Sequence, residues 1–275
     1  MYAQSERPTS SYSLFSRAVQ YALSAGVNNR ALSEGSASLG IGSSSSARGA
    51  FASGVFANAA AEGASSLGGG TDATGVLSAA LGTYTRASGV SSMATNVGSE
   101  ATSDASFAAN LLTKASGIAS SSFGRQTVAS GDYANAFGER SVATGRSSMV
   151  SGENNRANGR ASVAGGIRSV AQGVGSFANG LISQSYGSGS FTSGILARSF
   201  GEGSSALGIS SFSAGLSSFA NGLNVRANLG IANFASGANS QASGRLASSA
   251  FNLNTTAGGS ASASFGNGTS TKAAT

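Results

Sequence analysis

Cysteine, histidine and tryptophan are absent from this 275-residue chain, and proline occurs once. Without cysteine there are no disulfides and no thiol nucleophile. Without cysteine and histidine together, the usual zinc-ligand sets and histidine bases are gone as well. A stack of repeats needs no disulfide staple, so the lack of cysteine does not indicate a redox compartment. Charged residues are only 9% and aromatics 7% of the chain, and 16 basic against 10 acidic residues leave a net charge of +6. That charge is mild for the length, and no aromatics interleave with the cations, so nucleic acid is not an expected partner. No apolar run approaches the roughly 18 residues that a membrane-spanning helix needs, so membrane insertion is not expected. The opening segment from Met1 to Pro8 lacks the basic and apolar regions of a secretory signal. The expectation is delivery without a cleaved signal, or a leader that this sequence does not include.

What is abundant is glycine, and it is in phase. From Gly117 to Gly222 a glycine stands at every seventh position, sixteen in succession. With 41 glycines in 275 residues, chance gives such a run with a probability on the order of 10⁻¹³ for a chosen phase. Two residues before each glycine the residue is small, Ala at ten of the sixteen sites, and four before it is Ser at eleven. The unit is S-x-A-x-G-x-x. A flexible low-complexity linker has no need of phase, which argues against disorder.

The same phase runs raggedly upstream, through Gly26, Gly40, Gly54, Gly68, Gly75, Gly82 and Gly89. Asn96, Ser103 and Asn110 then occupy it. Asn tolerates a left-handed backbone better than most residues, so the repeated position is expected to need positive φ or a close backbone approach. One residue is inserted after Gly222, and the phase resumes at Gly230, Gly237 and Gly244. These boundaries divide the chain into an N-terminal anchor or cap (1–25), irregular repeats (26–114), regular repeats (115–249) and a C-terminal cap or tail (250–275). Ser10 and Ser11 are placed to cap a short helix whose face carries Leu14, Phe15, Ala18, Val19 and Ala22. That segment, helical or extended, is either a docking foot or a plug for the open end of the repeats.

Alternation of small and variable residues over S-x-A-x-G has the period of a β-strand, and the remaining two residues complete a tight turn. Two such units make a fourteen-residue coil, and stacked coils lie about 4.8 Å apart. The predicted fold is all-β, a parallel β-roll (solenoid) of about 14-residue coils. Like positions then form ladders, so Phe177 and Phe191 should stack. Of the eleven charged residues between 117 and 222, nine follow a glycine by one or two positions, where a solvent-facing turn belongs.

Units such as Ser141-Val-Ala-Thr-Gly, Ser162-Val-Ala-Gly-Gly, Ser169-Val-Ala-Gln-Gly and Ser176-Phe-Ala-Asn-Gly resemble the head repeats of YadA-type trimeric autotransporter adhesins. Similar repeats occur in trimeric fibres of bacteriophages. The resemblance covers about Gly26 to Gly244. It implies a left-handed roll and a homotrimer, neither of which the spacing itself provides. A heptad stalk, a C-terminal membrane barrel and recognisable neck motifs are missing. If the chain is complete, these departures favour a virion appendage docked on a virion structural protein, with the head of a bacterial surface adhesin as the alternative. If it is a head fragment, they carry no weight.

No catalytic, cofactor-binding or metal-binding residues are expected. The serines have no histidine to activate them, and Gly187-Ser-Gly and Gly201-Glu-Gly lack the third glycine and helix of a phosphate loop. Glu139 and Glu153 are one coil apart, beside arginines, and read as a solvated edge rather than an acid–base pair. A fibre-bound enzyme degrading a surface polysaccharide is the third and least supported reading. The one charged cluster comprises Arg125, Arg140, Arg146, Arg160 and Arg168. It is a candidate contact for an anionic host-surface glycan or protein, against the plainer reading of turn solubility.

Overall fold

The computed structural model describes residues 10–12, 15–19 and 21–272. The chain divides into two compact units, Met1–Ala134 and Asn135–Thr275. Both are parallel β-solenoids, and among the described residues there is no helix.

The first unit holds nine pairs of strands, from Ser10–Tyr12 and Arg17–Ala18 to Ser121–Arg125 and Val128–Ala129. In its regular part a five-residue strand alternates with a two-residue strand. Each long strand pairs in parallel with the long strand one coil on, as Phe51–Val55 does with Ser65–Gly69 in the register Gly54↔Gly68. Short strands do the same, Asn58–Ala59 against Asp72–Ala73. Each rung is therefore a two-sided coil whose backbone hydrogen bonds run to the rungs above and below. The first coil is one residue shorter than the rest, with Arg17↔Arg30 and Ser10↔Leu23 as partners.

The second unit holds ten such pairs, from Asn135–Glu139 and Val142–Ala143 to Ala263–Phe265 and Ser270–Thr271. Its coils keep the fourteen-residue step through Ser205↔Phe219. The next two steps are fifteen, Phe219↔Phe234 and Phe234↔Ser249, and the step returns to fourteen at Ser249↔Ala263. Phe177 and Phe191 stack with ring centroids 4.8 Å apart and planes 4° apart. The glycine phase continues beyond the second long step through Asn252, Gly259 and Gly266.

The interior of both units is made of very small side chains. Around Phe177–Leu181 and Gln184–Ser185, the inward residues are Ser176, Ala178, Ser183 and Ser185, each buried. Val150, Val225 and three asparagines are the largest side chains that are fully enclosed. The two walls of a coil therefore approach closely, and little apolar area is removed from water per residue. Cohesion rests on the ladder instead: Phe177 N–H donates to Ser190 C=O at 2.9 Å, and Gln184 N–H to Ala197 C=O at 2.9 Å. The recurrent serine four before glycine has a defined role in it. Ser183 Oγ donates to Asn179 C=O at 3.1 Å and to Gly194 C=O at 2.8 Å, tying one rung to the next. Asn155 does this more fully. Its Nδ2 donates to Ser151 C=O and Gly166 C=O, and its Oδ1 accepts from Ser169 N–H.

The N-terminal helix expected from the sequence does not form. Arg17–Ala18 and Leu23–Val27 are strands, with Arg17 N–H donating to Asn29 C=O at 2.9 Å. Ala22 is buried inside the first coil, Ala18 and Val19 are half-buried, and Phe15 is 82% exposed. Leu14 lies outside the described residues. The physical reason is competition for backbone hydrogen bonds. A short lone helix is marginal, whereas these residues find a ready ladder on the coil that follows.

A second adjustment concerns the repeat. The strand does not span S-x-A-x-G but starts and ends one residue later, as Phe177–Leu181 shows, and the next heptad contributes only two strand residues, Gln184–Ser185. Successive heptads are thus inequivalent, and the structural period is fourteen.

Candidate functional site

Three surfaces follow from this in-out pattern. The first is the outward face of the long strands. Their first, third and fifth residues point away from the small interior, and in the second unit the fifth position reads Ile167, Leu181, Ile195, Ile209 and Leu223 on consecutive rungs. These side chains are 40–51% exposed. Phe177 and Phe191 stand beside them at the first position of their strands. The first unit repeats the pattern with Val27, Ile41, Val55, Val97 and Leu111, all exposed. Isolated exposed apolar residues are ordinary, but a contiguous ladder of them marks a surface that something covers.

The second surface is the turns, which carry the arginines singled out in the sequence. Arg146 and Arg160 occupy the turn before the long strand on consecutive rungs, where Ala161 N–H donates to Arg146 C=O at 2.8 Å. Arg140 and Arg168 occupy the other turn, two rungs apart, both at positive φ (51° and 55°). The second unit therefore does not bring these four together; it divides them between opposite edges of the coil. Arg125 ends the last long strand of the first unit. The two glutamates are register partners, Glu139↔Glu153. Each is engaged locally: Glu139 Oε1 lies 3.8 Å from Arg140 Nε, and Glu153 accepts from Asn154 Nδ2 at 3.2 Å. No group of three or more metal-ligating side chains occurs among the described residues.

The third surface lies on the short-strand side of the second unit, and sequence reasoning did not find it. Arg198, Phe212 and Arg226 begin consecutive short strands and are register partners. Beside them opens a hollow of about 460 Å³, also lined by Leu196, Ser210 and Asn224. A second hollow of about 580 Å³ adjoins it, lined by Phe200, Phe212, Ala214, Asn228 and Leu229. Leu229 is the residue inserted before Gly230, and it is 77% exposed. The signal was available in principle, as a fourteen-residue column of Arg, Phe and Arg next to a break in phase. A seven-residue reading mixes that column with the opposite face and hides it.

No protein-family model matches the chain, and no curated protein shows significant similarity to it.

Proposed function

We propose that this chain is a structural and adhesive subunit of a fibre or spike, three copies assembling around one axis as left-handed β-rolls. The observation that carries the reading is the apolar ladder on the long strands. Ile167, Leu181, Ile195, Ile209 and Leu223 form a continuous column that a solitary molecule would leave in water. Symmetric self-association is the usual way to cover such a face. Threefold order and left-handedness rest on the resemblance to YadA-type heads and to phage fibres. The small-residue interior and the dense rung-to-rung bonding suit a rigid spacer, and the function proposed is mechanical and adhesive rather than catalytic. The setting proposed is the surface of a phage virion, with residues 1–25 docking on a virion structural protein and the turns and short-strand face meeting the host. A bacterial surface adhesin would use the same assembly.

Crosslinking and light scattering of the purified chain test the assembly. A trimer is expected, and a monodisperse monomer overturns it. Leu181→Arg with Ile195→Arg should dissociate the trimer while each chain keeps its β-rich circular dichroism. Deleting residues 1–25 should abolish incorporation into particles without unfolding the roll. Capsid and tail genes beside this one would support the virion setting; outer-membrane export genes would support the cell surface.

A further inference from the structure

We propose that the column Arg198–Phe212–Arg226, with Ser210, Asn224 and Asn228 around it, is a binding site for an acidic polysaccharide carrying its charge on alternate sugars. The inference rests on the attachment role above; the arginine column begins the short strands, while Leu196, Ser210 and Asn224 at the edge of the hollow directly follow Ile195, Ile209 and Leu223 of the apolar ladder.

The two guanidinium groups are the first argument. Neither Arg198 nor Arg226 has a salt bridge or side-chain hydrogen bond among the described residues. The first unit handles the same column differently, pairing Arg86 with Asp72 and Lys114 with Glu100 on adjacent rungs. Unpaired guanidinium groups are strong forks for carboxylate and sulfate. Their spacing is the second argument. The two arginines are separated by one intervening rung, hence by about 9–10 Å along the stack. A pyranose ring advances an extended glycan chain by close to one rung, so an acid on every second sugar meets an arginine on every second rung.

The remaining residues fit the neutral parts of such a chain. Phe212, half-buried and one rung from each arginine, offers an apolar surface to the C–H face of the intervening sugar. Phe200 supports it with ring centroids 5.5 Å apart. Asn224 donates to Asn239 Oδ1 at 3.0 Å, and Asn239 donates in turn to Asn254 at 3.2 Å. That chain of amides holds Asn224, a lining residue of the hollow, and leaves its own Oδ1 free to accept. Asn228 and Ser210 add uncommitted polar side chains at the rim. Leu229, Ala214 and Ser243 line the second hollow, and the last two are too small to fill it. A single-stranded nucleic acid suits the site less well: it carries a phosphate at every nucleotide and needs exposed aromatic platforms for its bases, whereas the charges here alternate with one half-buried ring.

The test is calorimetric titration of the full chain with a hyaluronan hexasaccharide and an unsulfated chondroitin hexasaccharide, against neutral chitohexaose and a single-stranded oligothymidylate. Binding of at least one acidic sugar is expected, at least tenfold tighter than chitohexaose. Arg198→Ala and Arg226→Ala should each weaken it about tenfold, the size of one charge-assisted hydrogen bond, and Phe212→Ala should weaken it too. Arg146→Ala with Arg160→Ala, on a different edge, should leave it within twofold. Binding of neither acidic sugar overturns the proposal. So do equal binding of the neutral one, tighter binding of the oligothymidylate, or equal losses from the Arg146 and Arg160 pair. Light scattering on the same samples separates the two readings: saccharide binding by a monomer removes the trimer and leaves the site, and a trimer without binding does the reverse.

Discussion

Gly180 and Gly187 stand seven residues apart in one sequence phase, yet they answer to different constraints. Gly180 is the fourth residue of a long strand, at φ +134°, and a Cβ there would lie 2.0 Å from Gly194 C=O. Gly187 opens a turn with an ordinary φ, and its Cβ would lie 2.0 Å from Gly201 C=O. The strand position is restricted twice, by handedness and by space, and the turn position by space alone. The first unit records the difference. Where the strand glycine is replaced, the substitute is Asn96 or Asn110, at φ 79° and 91°. Where the turn glycine is replaced, the substitutes are Ser33, Ala47, Ala61 and Ser103, none of them at positive φ. A turn can move by the ångström or so that a methyl group needs beside the next rung's carbonyl, but a ladder residue held on both sides cannot invert its φ.

The sharpest test of that contrast is Gly180→Val, expected to cost about 3 kcal/mol or more in denaturant unfolding, because strain and clash add. Gly187→Ser should cost less, on the order of 1–2 kcal/mol, and Gly180→Asn less than Gly180→Val. Equal losses at Gly180 and Gly187 would mean that handedness plays no part. Next in size is Asn155→Ala, which strips two inter-rung hydrogen bonds and one within the rung from a fully buried site. A loss of about 2 kcal/mol is expected, read as a lower thermal midpoint. A loss near zero would show that the backbone ladder alone sets stability. Ala161, at φ 56° in a turn, offers a change of opposite sign. Ala161→Gly should gain up to about 1 kcal/mol by relieving a left-handed residue, and a loss would place unfolded-chain entropy above strain. The smallest effect belongs to Arg86→Ala, whose partner Asp72 lies 3.8 Å away with both side chains solvent-accessible. A change of no more than a few tenths of a kcal/mol is expected, and a large one would show that surface ion pairs hold the short strands.

Much of the architecture was legible in the chain itself, because each rung repeats the same local problem. The phase of glycine, the small residue two before it and the stacking of Phe177 on Phe191 all follow from strand periodicity and rung spacing. Three things were not legible. Residues 17–27 carry an apolar spacing that fits a helix as well as a coil, and only the partner strand at Arg30–Ala31 decides between them. Heptads that read alike alternate between a five-residue and a two-residue strand, since both walls of a coil draw on one motif. The column of Arg198, Phe212 and Arg226 becomes visible only once that alternation assigns all three to the same wall.

Local chemistry, then, settles the step of the stack: an alternating strand closed by a tight turn, with glycine where the backbones touch and charge where the turn meets water. Pairing between rungs settles the rest. It chooses strand over helix at the N-terminus and makes alternate glycines left-handed. It leaves one wall apolar and sets two unpaired arginines across an open groove on the other. Those outcomes depend on which residues become neighbours at a distance of fourteen or fifteen positions, and a side chain cannot carry that information within its own heptad.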